Sequence, residues 1–283
     1  MLIDTHAHLN FVAFENNREE TIKRSLENNI WMINIGTNFE TSKKAVEIAR
    51  EHGKGVYAAI GLHPINLDTG LVKIKIDPDE FEKDYYPFEK EFDYKRYKRL
   101  ARSKKVIAIG EIGLDYYYRP KTTKKKELFK QKQKEVLLQQ LDLAKELNLP
   151  VIFHCRMAHQ DLIEILNSKF EILNLKGVMH GFVGTSEQLQ EYLKMGFYIG
   201  FNGIIFKKIK GINFEENIRK TPLEKILIET DCPYLTPPNF PEERNNPLAV
   251  KQVAEKIAQI KNLDYQKVSE NITENAKKLF SLK

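Results

Sequence analysis

The sequence predicts an α/β fold, a single (β/α)8 barrel with its candidate site at the C-terminal ends of the strands. Eight short apolar runs alternate with longer helical patterns, and 283 residues suit one closed barrel, which takes about 250. No glycine-rich phosphate loop follows the first apolar run, which counts against an open doubly wound sheet, the structural alternative.

Taken in order, the strands are expected at 2–6, 31–36, 56–61, 106–111, 151–154, 177–180, 197–200 and 226–231. Runs such as Val106-Ile107-Ala108-Ile109 are apolar at every position, as parallel strands covered on both faces require. Helices are expected at 15–28, 41–52, 127–147 and 186–195, then at 248–260 and 265–282 after the last strand. In 127–147, Leu137, Leu141, Ala144 and Leu147 form one apolar stripe. Thr41 is placed to cap the second helix and Gly53 to end it, and Pro150 opens the fifth strand. The 41 residues of 65–105 exceed a minimal crossover and read as an extended connection with helix within 80–100, either a lid or a charged, solvated decoration. No repeat or linker marks a second domain, so 1–283 reads as one.

Lysine and arginine number 45 against 39 acidic residues, a net +6 that mildly favours polyanionic partners. Two cysteines are too few for a disulfide framework and fit a reducing compartment. The chain lacks an apolar run long enough to span a membrane and an export pattern at its N-terminus, so a cytoplasmic protein is expected, a monomer or weak oligomer without membrane contact.

The chemistry concentrates at strand ends. His6 and His8, two residues apart, share a face of an extended strand, and Glu111, His154, His180 and Asp231 close strands four, five, six and eight. In a parallel barrel all these ends open on one side, so the six converge. Imidazole and carboxylate without thiolate select zinc, manganese, magnesium or a similar divalent ion. Cys155 and Cys232 directly follow ligand-type residues and should point away. Arg156, two past His154, should face inward and fork onto a phosphate or pair with Glu111 or Asp115.

The motifs Asp4-Thr5-His6-Ala7-His8-Leu9, Gly61-Leu62-His63-Pro64, Gly110-Glu111-Ile112-Gly113-Leu114-Asp115-Tyr116-Tyr117, His154-Cys155-Arg156 and Glu229-Thr230-Asp231-Cys232-Pro233-Tyr234-Leu235 together resemble the TatD family of metal-dependent deoxyribonucleases. The resemblance implies a barrel of the amidohydrolase superfamily that hydrolyses DNA phosphodiesters, as a 3′ to 5′ exonuclease, with RNA a further possible substrate. It also implies two divalent ions, one on His6, His8 and Asp231 and one on His154 and His180, with Glu111 shared. Asp231 is then expected to act as general base, and His63 and Arg244 to contact substrate, with Asp115 and Tyr116 beside it. Tyr116 to Tyr118 could stack bases or pack at the rim, and Lys124 to Lys126 and Lys207-Lys208 could follow the backbone. Two motifs depart from the family pattern: His180 is followed by Gly181-Phe182-Val183-Gly184, and Asn10 stands where an aspartate is usual. Another hydrolase of the superfamily, acting on a lactone, cyclic amide, phosphotriester or aminoacyl ester, is the alternative. Many of those carry a carboxylated lysine at strand four, where this chain has Glu111. A non-catalytic, metal-stabilised nucleic-acid-binding scaffold ranks third, since no ligand is missing.

Overall fold

The strands β1 (Leu2–Ala7), β2 (Ile30–Ile35), β3 (Val56–Ile60), β4 (Val106–Asp115), β5 (Val151–Arg156), β6 (Gly177–Met179), β7 (Tyr198–Phe201) and β8 (Ile226–Ile228) lie side by side in chain order. Every neighbouring pair is parallel. This computed structural model describes residues 1–83, 85–173 and 175–283, the side chains of 169–173 excepted. Between β8 and β1 the barrel is closed by an Ala7–Cys232 bridge, with His8 N donating to Cys232 O (3.0 Å) and Asp231 N to His6 O (2.8 Å).

The helices are α1 (Arg18–Glu27), α2 (Phe39–Glu51), α3 (Tyr94–Leu100), α4 (Thr123–Leu147), α5 (His159–Leu173), α6 (Ser186–Lys194), α7 (Phe214–Lys220), α8 (Val250–Lys261) and α9 (Tyr265–Phe280). Those after β5 and β7 have no counterpart among the expected segments. Asn38, not Thr41, caps α2: its side chain accepts from Thr41 N, and Thr41 completes a capping box from the third helical position. Among the described residues of 80–100 only the last seven are helical; Pro87 lacks an N–H to donate and its ring fixes φ. No described helix is long and apolar enough to cross a membrane.

A core cluster with a member from every strand, from Ile3 in β1 to Leu227 in β8, fills the lumen, and Leu279 and Phe280 of α9 join it. The larger cluster lies between strands and helices. The lumen is therefore a packed floor, and the chemistry lies above it at the strand C-termini.

Candidate metal centre

Alternation from the lumen residues delivers most of the site. Ile152 leads to His154 and Arg156, Val178 to His180, and Leu227 to Glu229 and Asp231, each step two residues along an extended chain. β1 needs more, because its lumen residue is Ile3; a register shift between Asp4 and Ala7 turns His6 and His8 to the same mouth. A shift between Ile109 and Ile112 does the same work around Glu111. Gly113 lets β4 and β5 close up beyond it, since with its φ of +154° a Cβ there would sit 1.9 Å from His154 O.

Glu111 is the hub and is buried to 4% exposure. Its carboxylate lies 3.2 Å from His6 Nε2, 3.4 Å from His63 Nε2, 2.7 Å from His154 Nδ1 and 3.5 Å from His180 Nε2. His8 Nε2 is 3.2 Å from His6 Nε2 and 3.4 Å from Asp231 Oδ1. Among the described residues three groups have ligand atoms close enough for one ion: His6, His8 and Asp231; His6, Glu111 and His180; His63, Glu111 and His154. The first is the expected triad. Against expectation, His63 stands within reach of Glu111 like a ligand, and His154 pairs with it rather than with His180.

The donor set fits divalent ions on two observations. His8 Nδ1 lies 3.0 Å from Ile35 O, which only accepts, so the ring keeps its proton there and offers Nε2 to the centre. Positive charge is also stored on the rings themselves. Burial would lower His154 and His180, but hydrogen bonds donated to Asp115 and Glu111 raise His154 to about 9, and the charges of Glu229, Glu111 and Asp231 raise His180 to about 10. His6 and His63 are lowered by burial and by the neighbouring rings. Burial would raise Glu111 and Asp231, but the surrounding histidines hold both below the usual carboxylate range. Protons here stand where cations would.

A supporting layer fixes the candidate ligands. Glu229, fully buried and absent from the expected site, places Oε1 2.8 Å from His180 Nδ1 and takes hydrogen bonds from Gly181 N (2.6 Å) and Asn202 Nδ2 (3.2 Å). Its signal was its position two residues before Asp231. Asp4 accepts from Thr230 N (2.9 Å) and from the Thr230 hydroxyl, and burial pushes it up to about 7. Asn10 Nδ2 donates to Ile35 O and Thr41 O, which an ionised aspartate could not do. From α4, Gln133 grips the backbone N–H and C=O of Asp115 and Gln140 those of Leu62, the residues that lead into the motifs of strands four and three. Seven residues apart, they share one face of the helix.

Above the ligands is a cavity of about 320 Å³. His63, Asp115, Arg156 and Asp231 line it, and segment 65–105 roofs it with Ile76, Asp77, Glu80, Phe81 and Phe88. Glu80, another residue the sequence reading missed, accepts from Thr37 and Asn66, and burial raises it to about 7. Arg156 pairs with neither Glu111 nor Asp115; its guanidinium stacks 3.7 Å from the centre of the Tyr117 ring. Two expected substrate contacts lie elsewhere. Tyr116 is buried away from the cavity because its hydroxyl donates to Asp161 Oδ2 at 2.7 Å. Arg244 pairs with Asp79 (3.4 Å) and donates to Ala13 O, tying the roof to the loop after β1. Cys232 is buried and Cys155 is pushed up to about 12 by burial, so neither is a ready thiolate.

The profile of TatD-related DNases matches residues 3–281. A Bacillus subtilis protein described as the uncharacterized metal-dependent hydrolase YabD is 38% identical over the whole of both chains. A Pantoea ananatis protein named 3′-5′ ssDNA/RNA exonuclease TatD is 31% identical across 99% of this chain and all of its own. Among solved structures, the TatD homologue YjjV of Escherichia coli superposes with a TM-score of 0.80 at 26% identity, covering 100% of this chain and 98% of that one.

Proposed function

Because the chain belongs to the family of TatD-related DNases, a family of metal-dependent hydrolases, we propose that it hydrolyses nucleic-acid phosphodiester bonds, shortening strands from the 3′ end, with two divalent ions. The observation that carries this reading is the sharing of Glu111 by two of three buried imidazole–carboxylate clusters beneath one cavity. His6, His8 and Asp231 would hold one ion. The second would lie against Glu111 and His154, where His63 and His180 both come within 3.5 Å of Glu111 Oε1. When bound, the ions supply a deprotonated water near neutral pH and offset the charge of the diester.

The chain's own groups do the rest. Asp231 has a side-chain exposure of 19% against 5% for Glu111, so of these two carboxylates it is the better placed to take the proton of the attacking water. Its lowered pKa keeps it ionised for that task. Arg156, with no carboxylate at ion-pair distance among the described residues, can fork onto a phosphate.

A second reading follows from the apolar part of that roof, Ile74, Ile76, Phe81 and Phe88, which would suit a compact lactone, phosphotriester or other ester on the same centre. The test is metal-stripped protein on end-labelled single-stranded DNA, RNA and duplex DNA with magnesium, manganese or zinc added back, beside Glu111→Ala. A ladder shortening from the 3′ end, absent in the variant, is expected. No cleavage with any ion by protein that binds metal would replace the nuclease with the ester reading.

A further inference from the structure

A second cavity opens beside the first. Its walls are Leu71 to Lys73 of the roof segment, Tyr118 to Thr122 after β4, and Lys125 in the first turn of α4. The metal-centre cavity is lined by the next roof residues, Ile74 to Ile76, and by the same Tyr118. The two cavities thus share Tyr118 and adjoin along the roof between Lys73 and Ile74, which lines them up as one trough leading outward from the candidate ligands.

The charge changes along it. The inner end carries Asp77, Glu80, Glu111, Asp115 and Asp231 beside Lys75 and Arg156, whereas the outer end has four cations, Lys73, Arg119, Lys121 and Lys125, and no acidic residue among the described residues. All four are exposed, and among the described residues none has a carboxylate at ion-pair distance. Further along α4, by contrast, Lys130 and Lys134 both reach Asp161. The first turn of α4 holds no acidic residue either, against the usual preference at a helix start, so positive potential accumulates at the outer end. Along the same wall Tyr117 and Tyr118, 50% and 42% exposed, meet edge to face at 4.9 Å, with the Arg156 guanidinium on the Tyr117 ring.

We propose that this trough, from the Arg156–Tyr117 stack past Tyr118 to Lys121 and Lys125, is the track that holds the uncleaved part of a single-stranded nucleic acid, a proposal that rests on the nuclease reading of the inner centre. Exposed aromatic faces among unpaired cations match the stacked bases and phosphates of a single strand. A duplex keeps its base faces inside, offers the trough phosphate alone and would leave the tyrosines unused. The 2′-hydroxyl has no assigned partner here, so DNA and RNA strands are taken alike.

The test is fluorescence anisotropy of labelled ten-residue oligo(dT), oligo(U) and a ten-base-pair duplex, with chelator present so that nothing is cut. Lys121→Glu/Lys125→Glu should weaken both single strands by roughly tenfold and flatten the slope of log affinity against log salt by about 1.4, at ~0.7 per phosphate contact. Tyr118→Ala should weaken them by roughly tenfold with the salt slope kept, because a stacked base is lost rather than a phosphate contact. Wild-type affinity for either variant, or a duplex bound as tightly as the single strands, would overturn the track. In manganese-loaded protein, the ratio of kcat/KM on the ten-residue strand to that on bis(p-nitrophenyl) phosphate should fall in both variants, and an unchanged ratio would count against it. Wild type that binds the strands but hydrolyses neither substrate with any ion would overturn the nuclease reading, while the anisotropy decides the track.

Discussion

Loading both divalent ions into chelated protein at pH 7.5 is expected to expel at least about two protons per chain. With no ion, His154 stands at about 9 and His180 at about 10, so each ring is more than about nine-tenths protonated at that pH. A nitrogen that ligates a metal holds no proton, and each ring must give one up. His6 and His63 are lowered and already neutral, and Glu111 and Asp231 are already carboxylates, so they release none; His8, raised by its bond to Asp231 against the effect of burial, adds a fraction. Because both histidines are raised, protons compete with the ion, and affinity should climb by about two decades per pH unit between roughly pH 6 and 8, then level off as each pKa is passed. Calorimetric titration in buffers of contrasting ionisation enthalpy reads the proton count as a slope. Asp115→Asn, which removes the carboxylate 3.2 Å from His154 Nε2, should bring that count down towards one while binding persists. A slope of zero, or proton uptake on binding, would refute the assignment of His154 and His180 to the metal.

Three further outcomes are expected. Asp231→Asn should lower kcat by about a hundredfold or more while oligonucleotide affinity stays within about twofold, and retained turnover would remove the proton-accepting role. Asp4 is raised from 3.8 to about 7, so the chelated wild type should lose up to about 4 kcal/mol of stability as pH rises from 4 through 7, a loss absent in Asp4→Asn; parallel urea curves for the two proteins across that window would disprove it. Gln140→Leu strands the N–H and C=O of Leu62 and should cost about 2 to 4 kcal/mol and loosen metal binding through His63, whereas an unchanged denaturation midpoint would show that the clamp carries no load.

The fold was legible because parallel strands buried on both faces write themselves as apolar runs, and all eight emerged near their expected places. The candidate ligands that end those runs were legible for the same reason, and the barrel brings them together at one mouth. What stayed hidden depends on contacts between segments far apart in sequence. Glu229 reads as one more carboxylate until β6 brings His180 beside it, and Gln133 and Gln140 read as helix surface until the barrel places Asp115 and Leu62 beneath them. Tyr116 sits within a motif, yet Asp161 turns it outward, and Arg244 faces Asp79 across 165 positions. Two strand irregularities, in β1 and β4, decide which side chains face inward, and apolar alternation alone does not announce them.

The grip of Gln140 on Leu62 reaches beyond stability. Segment 65–105 leaves the barrel just after this fastened point and rejoins it where Lys105 O accepts from Ala58 N in the strand ladder. Both of its ends are thus moored to the scaffold independently of whatever the segment does in between. Natural variation, or a designer, could rewrite the roof in length and sequence and so alter what the enzyme admits, while the ligands below keep their places; selectivity and chemistry are separately editable in this chain.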